Sequence, residues 1–183
     1  MRNIGGGKVD EQLQLLKDGN EDAFEEFILR YRKEAVNFAL NILKDYHAAE
    51  DVVQDSFAIF YVYRERFKDY STLKSYLFSI IHNKAVDYIR GNNKNIFTNY
   101  HMTSIISPEE IVINKEKKER FMKKFNELDE NQKNILYLYA FQEMSYKEIS
   151  EVLKMSLAKV KITIFRARKK LKASYLENQI SRR

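Results

Sequence analysis

Asp51 and Asp55 stand one helical turn apart, and two carboxylates at that spacing share a face that can grip a divalent cation. Such a site needs further ligands converging on it. The chain has no cysteine, and its three histidines, His47, His82 and His101, fall at no ligand spacing. A metal-dependent nuclease built on this pair would also lack a third ligand and a general base, so no metal and no catalytic residue are expected. A second set is Lys159, Lys161, Ile162, Phe165, Arg166 and Lys169. Cations interrupted by two apolar side chains make a poor solvent face, because Phe165 gains nothing from water. The mixture suits a DNA major groove, where cations meet phosphates and guanine edges, and apolar groups meet base edges or thymine methyls. A third set is Asn83, Asp87 and Arg90. Asn and Arg on a rigid helix hydrogen-bond bases and phosphates, and Asp87 can orient either across one turn.

The second set needs a helix-turn-helix to present it. Ser145 and Glu148 form an S-x-x-E capping box, which predicts a helix from Tyr146 with Ile149, Val152 and Leu153 as its apolar stripe. Met155-Ser156 supplies a turn and a fresh N-cap, and a second helix runs from Leu157 past Leu171. Val160, Ile164, Ala167 and Leu171 fall in one narrow sector of it and are expected to be buried. The basic set lies opposite.

Charge follows the same division. The chain carries 32 Lys+Arg against 26 Asp+Glu, net +6. Residues 1–95 hold 14 basic and 15 acidic side chains, residues 96–151 hold 8 and 10, and residues 152–183 hold 10 and 1. The positive field therefore sits on the last helix and tail, as a nucleic-acid footprint does, although a solvated basic tail has the same composition. The 183 residues, 44% hydrophobic, suffice for one large or two small domains. No apolar run approaches the roughly 20 residues that cross a bilayer, and the N-terminus lacks a signal-peptide core, so a cytoplasmic protein without membrane insertion is expected.

One proline and five glycines, three of them at Gly5-Gly6-Gly7, favour an all-α protein. Residues 1–8 read as a flexible leader. Helical patterns then cover Glu11–Lys17, Glu21–Leu43, Ala48–Phe67 and Leu73–Arg90, with the polar turn Asp69-Tyr70-Ser71-Thr72 before the last and Ser71 or Thr72 as its cap. Gly91-Asn92-Asn93 stops this series, and residues 92–106 show no sustained period. Order restarts at Ser107-Pro108-Glu109-Glu110, an N-cap, a first-turn proline and acids at the positive end of the helix dipole. That helix reaches about Glu127, and Asp129 caps another from Glu130 to about Gln142. The expected architecture is two small helical domains, 9–91 and 107–183, joined by a flexible linker at 92–106, with the helix-turn-helix in the second.

Within the first domain, Val53, Phe57 and Phe60 share one side of their helix and are expected in the core. Asp51, Gln54, Asp55, Ala58 and Val62 share the other. Small or branched apolar residues among acids suit a contact with a protein, unless Ala58 and Val62 are incidental on a solvated face. The helix from Leu73 is expected to bury Leu77, Ile80, Ile81 and Tyr88, and to expose Ser75, Ser79, His82, Asn83, Val86 and Arg90. Phe67 and Tyr70 in the preceding loop either take up an unstacked base or plug the core.

Together these motifs resemble a sigma factor of the sigma-70 family, in its small extracytoplasmic-function (ECF) subgroup. The resemblance spans about Leu13 to Leu176. It rests on Ala49-Glu50-Asp51-Val52-Val53-Gln54-Asp55-Ser56-Phe57, on Leu73-Lys74-Ser75-Tyr76-Leu77 with Asn83, Asp87 and Arg90, on Ser145-Tyr146-Lys147-Glu148-Ile149, and on Val160-Lys161 with Phe165-Arg166-Ala167-Arg168-Lys169-Lys170-Leu171. It implies a promoter-specificity subunit that performs no chemistry and needs no cofactor or small-molecule substrate. Asp51, Gln54, Asp55 and Ala58 would dock core RNA polymerase at the coiled coil of its largest subunit, and the flap of the polymerase is a further contact. Phe67, Tyr70, Ser75, Ser79, Asn83, Asp87 and Arg90 would read and open the minus-10 element, including its melted strand. Lys159, Lys161, Ile162, Phe165, Arg166 and Lys169 would read the minus-35 element as duplex. The resemblance also implies an anti-sigma partner and a stress or signal regulon.

Several positions depart from the family pattern. Lys154 stands where a glycine is common, Tyr76 replaces a tryptophan, Ala158-Lys159 replace Gly-Thr, and Ile162-Thr163 fill places that are often polar or basic. The alternative function is a free-standing helix-turn-helix regulator that binds DNA without polymerase.

Overall fold

Asn20, Asp45 and Asp69 punctuate the first half of the chain because each side chain accepts a backbone N–H that helix entry leaves bare. Asn20 takes the amide of Ala23 at 2.9 Å, Asp45 that of Ala48 at 3.0 Å, and Asp69 that of Ser71 at 2.9 Å. The computed structural model describes the backbone of residues 6–91 and 123–180, and the side chains of 11–91 and 123–171. All regular structure among the described residues is helical. Two compact units, Met1–Asn95 and Ile96–Arg183, make up the chain.

The first unit contains α1 (Gly6–Lys17), α2 (Glu21–Leu43), α3 (Tyr46–Val62) and α4 (Leu73–Gly91), with 3-10 turns at Arg64–Arg66 and Tyr70–Thr72. The α2 range matches the periodicity. Helix α1 starts earlier than Glu11 and takes in Gly6 to Lys8, residues expected in the leader; extending a nucleated helix costs little beside starting one. Gly19 ends this segment at φ +75, and an added Cβ there would meet the Arg64 side chain at 3.0 Å.

Helix α3 stops at Val62, short of the expected Phe67, for a tertiary reason. In a continuous helix Phe67 would lie roughly 10 Å along the axis from Phe60. The chain instead breaks into a 3-10 turn and Phe67 becomes extended, which brings its ring to 4.5 Å from that of Phe60. Phe60 is also stacked on Phe27 of α2 at 4.5 Å, and Phe67 meets Tyr76 of α4 edge-on at 5.3 Å. Val53, Phe57, Leu73, Leu77, Ile80 and Ile81 complete the buried set, while Tyr88 is only half-buried. The cap of the second 3-10 turn is Asp69, where Ser71 or Thr72 was expected to cap α4; the Thr72 hydroxyl donates back to the Asp69 carbonyl at 2.8 Å.

In the second unit a helical turn at 123–126 leads to α5 (Glu130–Leu136), a π-helical turn (Tyr137–Phe141), α6 (Tyr146–Val152) and α7 (Leu157–Ile180). The three predicted caps of this unit that fall among the described residues are present. Asp129 forms a capping box with Gln132, and Ser145 forms one with Glu148, whose carboxylate accepts the Ser145 amide at 2.8 Å. Ser156 opens α7 by accepting the Lys159 amide at 3.3 Å. Ile135, Leu138, Ile149, Val152, Val160, Ile164 and Ala167 close the core, with Leu171 half-buried at its edge. The predicted linker 92–106 and the helix opened by Ser107-Pro108 lie outside the described residues, apart from that helix's expected last turn.

The turn between α6 and α7 carries Lys154 at φ 52, the left-handed region that favours glycine. Lys154→Gly removes that strain, and the expected gain is about 1 kcal/mol. Amide exchange across α6 and α7 is expected to slow about fivefold. Faster exchange would show that the lysine is better accommodated than its backbone angle implies.

Candidate protein-docking and nucleic-acid interfaces

The alternation along α3 turns one face outward. Val53, Phe57 and Phe60 are buried, whereas Asp51, Gln54, Asp55, Ala58 and Val62 are all exposed. This face is acidic at one end and apolar at the other. Among the described residues no three His, Cys, Asp or Glu groups are placed to hold a cation. The Asp55 carboxylate instead accepts from Lys84 Nζ of α4 at 3.0 Å, an ion pair with both side chains substantially solvated. A pair so exposed contributes at most about 1 kcal/mol. Sequence reasoning missed Lys84, because nothing local reveals which residue of an antiparallel neighbour lies opposite Asp55.

Helix α4 shows its candidate nucleic-acid face less openly than the periodicity implies. Asp87 and Arg90 are exposed and pair at 3.6 Å. Asn83 is half-buried, as are His82, Val86 and Ser79, whose hydroxyl donates to the Tyr76 carbonyl at 2.7 Å. Two expected contacts are overturned as surface groups. Ser75 is 7% exposed, because the first turn of α4 packs against the 3-10 turn and its hydroxyl donates to the Thr72 carbonyl at 3.0 Å. Phe67 is 6% exposed, wedged between Phe60 and Tyr76, so it plugs the core and offers no ring to an unstacked base. Tyr70 is half-buried and its hydroxyl accepts from Arg30 of α2 at 3.3 Å. Burial pushes the phenol of adjacent Tyr31 above its usual value, with Arg30 pulling the other way.

The second unit presents its candidate set in full. Lys159, Lys161, Ile162, Phe165, Arg166 and Lys169 are all exposed, Phe165 at 68%. Two other cations of α7 act inside the unit. Arg168 lies over the Tyr139 ring at 4.6 Å, and Lys170 donates to Gln132 at 3.1 Å. Tyr139 in turn packs on Tyr146 of α6 at 5.4 Å. These contacts brace the flanks of α7, a role that their place in a basic run conceals. The second unit is thus a helix-turn-helix whose second helix is held from behind and open in front.

A protein of two helical modules, the second carrying a helix-turn-helix, is the class this arrangement defines. The profile described as sigma-70 region 2 matches residues 27–95, and that described as sigma-70, region 4 matches residues 118–171. The ECF RNA polymerase sigma factor SigM of Bacillus subtilis is 32% identical over 157 residues, which cover 82% of this chain and 94% of SigM. The RNA polymerase sigma factor YlaC of the same organism is 28% identical, covering 87% and 96%. Among solved structures, RpoE of Bartonella quintana, determined with the anti-sigma factor NepR, has a TM-score of 0.65 at 21% identity, covering 83% of this chain and 96% of its own. CnrH, determined with the cytosolic domain of CnrY, has a TM-score of 0.63 at 24% identity, covering 90% and 95%. The chain belongs to the sigma-70 family, as an RNA polymerase sigma factor of the ECF subgroup.

The placement of Phe67 generates a test. Phe67→Ala is expected to cost the first unit roughly 3–5 kcal/mol, as removal of a packed core ring does. Arg90→Ala, on the exposed face, is expected to stay within about 0.5 kcal/mol of the parent. Urea unfolding followed by circular dichroism checks both, and a Phe67 variant as stable as the parent would return that ring to the surface set.

Proposed function

We propose that residues 9–91 dock the chain on core RNA polymerase and engage the minus-10 element, and that residues 107–183 read the minus-35 element, the two joined by 92–106. The observation that carries this reading is the open face of α7, where an exposed phenylalanine sits among four cations on the second helix of a helix-turn-helix. An apolar patch of Ile162 and Phe165 rimmed by cations is the kind of surface that marks an interaction site. Asp51, Gln54, Asp55 and Ala58 form the polymerase face, and their carboxylates suit a cationic partner such as the largest-subunit coiled coil. The flap is the expected partner of the second module. Tyr70, Ser79, Asn83, Asp87 and Arg90 remain as minus-10 contacts, while Phe67 and Ser75 support them from within. The chain acts in the cytoplasm on promoters of a stress or signal regulon. An anti-sigma factor is a natural antagonist, since RpoE was solved with one.

Mixing the chain with core polymerase tests the docking face. Asp51→Lys with Asp55→Lys is expected to abolish the complex on gel filtration while the helical spectrum is kept. Undiminished association would remove these residues from the interface. Tight, specific footprinting by the chain without polymerase would favour the free-standing regulator instead.

DNA readout separates the cations of α7. Arg166→Ala is expected to weaken minus-35 recognition by roughly 1–3 kcal/mol if it grips a base, with the loss concentrated on particular sequences. Lys169→Ala is expected to weaken all duplexes alike and to flatten the salt dependence of binding. Equal losses on every promoter for Arg166→Ala would make Arg166 a phosphate contact.

A further inference from the structure

The outward residues of α7 are sorted by chemistry around its axis. At about 100° per residue, Ala158, Ile162 and Phe165 fall along one line opposite the buried Val160, Ile164 and Ala167. Lys161 stands on one side of that line, Lys159 and Arg166 on the other, and Lys169 continues it toward the C-terminus. All seven outward side chains are exposed, Ile162 by 50%. Braces on the flanks of the helix, Arg168 on Tyr139 and Lys170 on Gln132, hold this orientation.

A helix is roughly as wide as the major groove that admits it. Its midline therefore meets base edges, and its flanks meet the sugar-phosphate walls. Cations on both flanks fit those walls. The midline from Ala158 to Phe165 offers no donor and no acceptor over roughly 10 Å, about three base-pair steps. Among the groups that base pairs show in the major groove, the thymine 5-methyl is the apolar one. Ile162 and Phe165, one turn apart, would each bury such a methyl; a hydrogen-bonding edge opposite them would lose its water and gain nothing.

We propose that Ala158, Ile162 and Phe165 read thymine 5-methyl groups, so that the duplex this helix prefers carries thymines at two or more neighbouring steps. This rests on the reading that α7 enters the promoter major groove. The acid-free cationic flanks favour a nucleic acid over a protein as the partner of this apolar line.

The test uses holoenzyme reconstituted with the full chain, which selects duplexes from a library randomised across the minus-35 segment. Selected duplexes are then remade with deoxyuridine for thymidine, a change that removes only the methyl. Thymines are expected at two or more positions, and each uracil is expected to lower affinity about fourfold, equivalent to ~0.8 kcal/mol for one buried carbon. Ile162→Ala and Phe165→Ala, both at exposed positions, are each expected to become insensitive to one uracil. Preferred elements without thymine, or uracil duplexes bound as tightly as thymine ones while Arg166→Ala still weakens binding, overturn the methyl readout and leave the groove reading standing. No sequence preference, with Ile162→Ala, Phe165→Ala and Arg166→Ala all without effect on DNA binding, overturns both and assigns the line to a protein partner.

Discussion

The stack of Phe27, Phe60 and Phe67 is the contact on which the first unit depends. Phe60 is fully buried and meets both other rings at 4.5 Å, joining α2, α3 and the loop before α4 through one side chain. Each ring buries a large apolar area, and offset or tilted aromatic contacts add to that burial. Two consequences follow from the geometry. With Phe60 inward, Asp51, Gln54, Asp55 and Ala58 have to face outward, because they occupy the opposite sector of the same helix. With Phe67 drawn in, the chain has to leave α-helical geometry after Val62, and α4 then starts at Leu73 with Ser75 turned into the packing.

The second unit solves a similar problem with fewer residues. Helix α7 buries small or β-branched side chains, Val160, Ile164 and Ala167, so it can approach α5 and α6 closely along a narrow strip. A narrow buried strip leaves a wide outer face, and that width allows an apolar midline with cations on both flanks. The left-handed Lys154 and the capping Ser156 set the angle at which α7 leaves the turn. The strain at Lys154, of order 1 kcal/mol, is small beside the burial that follows it.

Solvated ion pairs decorate these frames without holding them. Asp55 with Lys84 and Asp87 with Arg90 join neighbouring positions on candidate binding faces, and each is weak enough to be exchanged for a partner's charge. Faces built this way can be complementary to a partner without contributing to the core that holds each unit together.

Much of this was legible before folding. Local rules carried the caps at Asp129, Ser145 and Ser156, the span Glu21–Leu43, and the inward and outward sides of α3 and α7. These depend on periodicity and on side chains within one turn of the backbone they satisfy, and both are written in consecutive residues. Contacts between distant segments were not legible. The grip of Arg30 on Tyr70, the Asp55–Lys84 pair and the bracing of Arg168 by Tyr139 join residues far apart in the chain, and the early end of α3 with the burial of Phe67 and Ser75 follows from how α2, α3 and α4 pack together. The sequence by itself determined which elements form and which face of each is apolar, because hydrogen bonding and helical pitch are local. Only the tertiary structure decided which polar or aromatic side chain is spent in packing and which is left for a partner, because burial depends on what the rest of the chain brings alongside.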